Sequence, residues 1–256
     1  MHSRRRFWWA TRVALGSLVV SGCATSGALP DLEGLPGKIS GRVGRPGVVI
    51  AAPHGNSDAR TGEIVAELGR RTGFGVVVAT GFNLEADTGE RPGRRYQVNR
   101  PFEGTPGRPP SEDAASAGAR DVYRAYERRV RDVAQGPLVF YAEIHGNVHP
   151  DAAGQIEIAT VGVDRDEALR LRILLELIRD AHLRANRAAP RLQILVEPAN
   201  AVRYGASGAK RDGILRLPQR ALHFELPKAA RTEWREIYTA ILADFLVQAA
   251  LPSAGK

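Results

Sequence analysis

Three short stretches hold the residue types that metal-assisted hydrolysis needs. Pro53-His54-Gly55-Asn56-Ser57-Asp58 follows the apolar run Gly47 to Ala52, and His145-Gly146-Asn147 follows the run from Leu138 to Ile144. His223-Phe224-Glu225-Leu226-Pro227 closes a third run. Two histidines and one carboxylate are a ligand set for a catalytic zinc ion that keeps one coordination position open. A metal so held stays positive enough to acidify water. A further carboxylate outside the coordination shell can then take the proton. The chain has a single cysteine, Cys23, so any metal must be held by His, Asp or Glu.

These stretches need elements to bring them together. Gly47 to Ala52 and Phe74 to Ala79 are short continuous apolar runs, as in strands buried on both faces. Leu138 to Ile144, Gln155 to Val161, Leu192 to Val196 and Arg220 to Leu226 are further expected strands. Helical spacing marks Thr61 to Arg71, Ala114 to Val133, Asp166 to Ala185 and Thr232 to Ala249. Strands separated by helices predict an α/β fold of three layers, a mostly parallel or mixed sheet with helices on both faces. In such sheets sites form just past the carboxyl ends of strands, where the histidine-bearing stretches fall. Within the last strand, Leu222, Phe224 and Leu226 alternate with His223 and Glu225, so the polar pair shares one face. His223 either orients Glu225 or is a plain neighbour on that face, and the plain role is the expected one.

The first 22 residues form a leader. Ser3-Arg4-Arg5-Arg6-Phe7 is a positive start, and the apolar run Val13 to Val20 is too short for a permanent membrane span. Leu18-Val19-Val20-Ser21-Gly22-Cys23 resembles a bacterial lipoprotein box, which implies lipid on Cys23 and a periplasm-facing place in the cell envelope. The arginine run also resembles a twin-arginine export signal. Residues 23–46, rich in Gly, Pro and Ser, are expected to be anchor and flexible tether, and 47–251 a metallohydrolase domain. The net charge of +8 falls to +4 without the leader, which has four arginines and no acid. Basic residues such as Arg120 to Arg131 are interleaved with the acids Asp121 and Glu127, so no nucleic acid is expected as a partner.

Taken in order, Pro53-His54-Gly55 with a following acid, Val98-Asn99-Arg100-Pro101, Glu143-Ile144-His145-Gly146 and Phe224-Glu225-Leu226-Pro227 resemble the N-formylglutamate amidohydrolase family. That family is a branch of the zinc carboxypeptidase-like clan. The resemblance implies zinc on His54 and His145, with Glu225 as general acid/base and Asn99-Arg100 recognising a substrate carboxylate. It frays at the third ligand, where Ser57 stands in place of the clan's glutamate. Asp58 is the expected substitute and Glu63 the second choice; alternatively Asp58 caps the following helix. The Gly-rich loop Arg203 to Gly213, with Tyr204 and Lys210, resembles the tyrosine-bearing loop that closes over substrate in the clan. Asn147 and His149 either polarise the scissile carbonyl or shape the turn, and His182 is expected to be exposed.

The expected activity is therefore zinc-dependent cleavage of an amide in a small acidic amide or peptide. Export argues for an envelope γ-glutamyl or peptide hydrolase as the alternative substrate class, and poly-γ-glutamate hydrolases share the clan architecture. A catalytically inactive ligand-binding lipoprotein is a further alternative. The Gly-rich loop lacks the Gly-Lys-Ser/Thr ending of a phosphate-binding loop, and Ser207 lacks the Gly-x-Ser-x-Gly setting of a serine hydrolase.

Overall fold

The computed structural model describes residues 27–84 and 93–251; the leader and Cys23 lie outside them. In chain order the elements are β1 (Lys38–Arg42), β2 (Arg45–Ala52), α1 (Thr61–Thr72), β3 (Phe74–Thr80), β4 (Asn83–Leu84), β5 (Arg94–Tyr96), β6 (Phe102–Gly104), β7 (Ala114–Ala115) and α2 (Ala117–Ala134). Then come β8 (Phe140–Gly146), β9 (Gln155–Val161), α3 (Arg165–Leu183), β10 (Gln193–Val196), α4 (Ser207–Asp212), β11 (Arg220–Leu226), α5 (Lys228–Arg231) and α6 (Arg235–Ala249). A seven-stranded mixed sheet has the order β1-β3-β2-β8-β11-β9-β10. Strands β3, β2, β8 and β11 are parallel, β1 is antiparallel to β3, and β9 is antiparallel to β11. The expected α/β class is observed.

Alternation along the central strands builds two cores. Val48, Ile50, Phe140, Ala142, Ile144, Leu222 and Phe224 pack on one face with α1, α3 and α6. Val49, Ala51, Tyr141 and Ala221 pack on the other with α2. From β2 the chain goes to β3 on one side and, after α2, returns to β8 on the other. The order therefore reverses between β2 and β8, opening a crevice at their carboxyl ends. Pro53 to Asp58 and His145 stand there.

Two expectations are corrected, at the tether and at the last helix. The stretch read as tether packs on the domain: Ala28 bridges to Arg42, and β1 pairs with β3 over five residues. Its Ile39 is fully buried, and a Cβ on Gly41 would lie 2.5 Å from Arg129 Cδ, so the glycine at 41 lets α2 approach closely. The stretch after β3 forms a second, four-stranded antiparallel sheet, β4-β5-β6-β7. The last helix begins at Arg235, three residues later than expected: Thr232 leaves helical geometry and its hydroxyl donates to Lys228 O, closing a separate short α5 before α6. Among the described residues no helix is long and apolar enough to cross a membrane.

The ring of Phe245 on α6 is fully buried and meets Phe224 edge-on at 6.2 Å between centroids. Phe245→Ala is expected to destabilise the fold by about 3–5 kcal/mol, measured by urea unfolding.

Candidate metal centre

The turn after β2 brings a carboxylate back under its own histidine. Asp58 N donates to His54 O at 2.9 Å, and the loop is tied to β3 by Gly55 N to Ala79 O at 2.8 Å. Asp58 Oδ2 then lies 3.3 Å from His54 Nδ1, 3.4 Å from His145 Nδ1, and accepts from Gly146 N at 3.2 Å. The side chain thus faces the crevice and does not cap α1, whose N-cap residue is Arg60. Glu63 pairs instead with Arg60 and with Arg235 on α6, away from the histidines. Asp58 is the third ligand candidate, and Glu63 is not.

The donor set fits a cation. His54 Nε2 lies 3.1 Å from Gln97 O, an acceptor only, so that nitrogen carries the proton and Nδ1 is left with its lone pair. His145 Nε2 has no hydrogen-bond partner among the described residues, but the buried Glu143 carboxylate 3.4 Å away favours a proton on that side and a free Nδ1. Two lone pairs and a carboxylate oxygen then point at one another, an arrangement that needs positive charge between them. Atoms bound to a tetrahedral zinc at about 2.0–2.1 Å are about 3.3–3.4 Å apart, the spacing seen around Asp58 Oδ2. In the metal-free protein a proton answers the same field. Burial disfavours the charged form of His145, but Glu143 and Asp58 outweigh it and push the ring up to about 10. Burial likewise opposes the charge of Asp58, but His54 and His145 prevail and hold its carboxyl well below the usual range.

Behind the ligands, Glu143 is fully buried and supports several groups at once. It lies 2.6 Å from His223 Nδ1, and accepts from Asn99 Nδ2 at 3.3 Å and Tyr141 OH at 3.2 Å. His223 Nε2 is 3.1 Å from Glu225 Oε1. Burial and the neighbouring His145 resist charge on His223, but its two carboxylate partners raise it above its ordinary value. Glu143, His145 and His223 also form a grouping that could hold an ion. However, 2.6 Å is a hydrogen-bond length, too short for two ligands of one metal, and the group is sealed from solvent. It supports the first site. His223 therefore orients Glu225, contrary to the plain role expected of it. The motif around His145 implies no role for Glu143, although Tyr141, Glu143 and His145 alternate with apolar residues and so must share a face.

The substrate side is mixed. Arg100 stands near the site, its guanidinium 3.9 Å from Asp113; burial depresses its pKa, opposed by Asp113 and Glu143. Asn99 does not reach outward with it: the side chain is buried and donates to Glu143, because a buried carboxylate demands donors. Lys210 is tied to Glu197 and so is not a free cation over the cleft. Tyr204 is placed by its backbone, since the Arg203 and Tyr204 amides donate to Glu157 at 2.8 and 3.0 Å. Glu157 pairs in register with Glu225, and burial followed by the Glu225 charge raises the Tyr204 phenol. Asn147 is 4% exposed and neither amide atom of its side chain has a hydrogen-bond partner among the described residues. His149 Nδ1 accepts from Asp151 N, so it shapes the turn. His182 pairs with Asp244 on the far side. Beside His54 opens a cleft of about 210 Å³, walled by Phe82, Tyr96 and Gln97.

Fold and site together define an α/β protein with a His-Asp-His group that could hold a cation at a sheet's switch point. No family model and no curated protein matches the chain, so the resemblance to N-formylglutamate amidohydrolases stands on its motifs alone. Among solved structures it is similar to a bacteriophage poly-gamma-glutamate hydrolase, at 13% identity over 84% of this chain and 90% of that one, TM-score 0.48. It is also similar to a metallo-carboxypeptidase from Burkholderia cenocepacia, at 12% identity over 90% and 66% of the two chains, TM-score 0.43. A third is an N-acetylmuramoyl-L-alanine amidase of Nostoc punctiforme, at 11% identity over 80% and 98%, TM-score 0.35. At these scores the chemistry has to come from the side chains themselves.

Asp58→Asn is expected to weaken zinc binding by roughly 100-fold and Glu63→Gln to leave it unchanged, in a chelator competition. Glu143→Gln should cost roughly 10–100-fold, as loss of a group orienting a ligand does. In the same assay affinity should fall as pH is lowered, because the histidines must shed protons to bind.

Proposed function

We propose that this protein is a zinc-dependent hydrolase that cleaves an amide bond in a carboxylate-bearing substrate. The observation that carries this is the position of Glu225. Through His223 and Glu143 it is joined to the back of His145, whose front faces Asp58 and His54. A carboxylate beside a three-ligand cation site, but outside the ligand set, is what general acid/base chemistry requires.

When bound by His54, Asp58 and His145, zinc supplies Lewis acidity, acidifying water and polarising a carbonyl oxygen. Glu225 accepts the proton of the attacking water at its carboxylate and delivers it to the departing amine nitrogen. His223, bridging Glu143 and Glu225, holds that carboxylate in one orientation while its charge changes. Arg100 supplies a planar fork for the substrate carboxylate. Its 3.9 Å separation from Asp113 is beyond hydrogen-bond length, so the fork keeps donors free for that partner. Tyr204, on the loop pinned by Glu157 and within reach of the Glu225 charge, is assigned the role of closing on substrate.

The leader, with its lipoprotein-like box, supports an envelope location and hence γ-glutamyl or peptide substrates over free N-formylglutamate. N-acyl amino acids and γ-glutamyl peptides are therefore the substrates to compare.

With the better of these substrates, Glu225→Gln should lower kcat by about 10²–10⁴-fold while zinc stoichiometry stays near one per chain. Arg100→Lys should raise KM more than it lowers kcat, since the lysine keeps charge and loses the fork. Retention of full activity in Glu225→Gln would refute the proton-transfer role.

A further inference from the structure

Arg231, the last residue of α5, is a buried cation that the chemistry above does not use. It is 2% exposed, and each of its three guanidinium nitrogens donates to a backbone carbonyl. Nε reaches Leu226 O at 3.1 Å, Nη1 reaches Ala59 O at 2.8 Å, and Nη2 reaches Asn147 O at 3.0 Å. The identity of these carbonyls is what matters. Ala59 directly follows Asp58, Asn147 comes two residues after His145, and Leu226 directly follows Glu225. One side chain therefore ties together the three strand-end segments that carry the ligands and the proton carrier.

The fit leaves no slack. A Cβ on Gly146 would lie 2.3 Å from Arg231 Cζ and 2.5 Å from Nε, so the guanidinium lies against the backbone of the residue that follows His145. Gly146 N in turn donates to Asp58 Oδ2 at 3.2 Å. The planar fork and the Asp58 carboxylate thus meet at one residue, Gly146. Only arginine presents donors in three directions at fixed angles; a lysine ammonium at that depth cannot serve three carbonyls set around a plane.

We propose that Arg231 is a positioning residue that sets the spacing between Asp58, His145 and Glu225, and through it the affinity and geometry of the metal centre. This rests on the zinc assignment made above. Loss of the fork frees the Ala59 and Asn147 loops from one another, so the three ligand atoms no longer converge at tetrahedral spacing even in a folded chain.

The test uses the full-length protein with zinc alone and cobalt(II) alone as probes, beside thermal melting. Arg231→Lys and Arg231→Gln are compared with wild type and with Arg179→Lys, a buried arginine whose Nη1 donates to Leu192 O far from the site. We expect the Arg231 variants to fold, to bind zinc at least roughly 10-fold more weakly, and to show altered visible bands when cobalt is bound. Arg179→Lys should lower the melting temperature yet keep wild-type zinc affinity and cobalt spectrum. Gly146→Ala approaches the same contact from the other side without deleting the cation and should shift affinity in the same direction. Folded Arg231 or Gly146 variants with wild-type affinity and spectrum would overturn the clamp alone. A wild-type chain that takes up no zinc would overturn the metal centre, and the clamp with it.

Discussion

A carboxylate oxygen cannot sit against two imidazole lone pairs unless something positive lies between them. Asp58 Oδ2 meets that condition at 3.3 Å from His54 and 3.4 Å from His145. Much of the fold's upper end exists to keep these three mutually unfavourable atoms in place. The crevice between β2 and β8 arises because the chain leaves β2 on one side and returns on the other. The second sheet then contributes Gln97, whose carbonyl selects the tautomer of His54. Without either, the nitrogens would turn toward water.

The support beneath the site is itself polar and buried, which is costly unless every member finds partners. Glu143 does so through His223, Asn99 and Tyr141, and Tyr141 extends the chain to Tyr126 at 2.9 Å. These contacts run in one layer across β8 and β11, with Glu143 opposite His223 and His145 opposite Glu225 in register. A slip of one residue between the two strands would send His223 and Glu225 into the apolar core with Phe224's neighbours. The register of two strands is thus also the register of ligand and proton carrier.

The alternating strands were legible because period-two patterning is local. Arg220–Leu226 falls where the pattern puts it, and the polar pair His223 and Glu225 does share one face. The histidines after β2 and at the end of β8 were legible for the same reason. What escaped detection depends on contacts distant in sequence. Strand β1 hides in a Gly-rich stretch, since its partner β3 lies some distance along the chain and glycine carries no pattern. The motif directs Asn99 to the substrate, but its direction is set by Glu143, 44 residues away. Arg231 lies 172 residues from Ala59, and nothing near either residue announces that they meet.

The reversed strand β9 has a consequence for how such a protein can change over time. Because it runs against β11, its start, not its end, lies at the level of Glu225. The rim therefore receives a connection, from Val148 to Gly154, that leads into a strand and carries none of the three candidate ligands. Val148 stands 83% exposed at its beginning. Asp151 in that connection pairs with Arg203 beside Tyr204, so insertions or exchanges there can shift the Tyr204 loop while the ligand-bearing turns stay fixed. Diversification of specificity and preservation of chemistry are assigned to different segments of one rim.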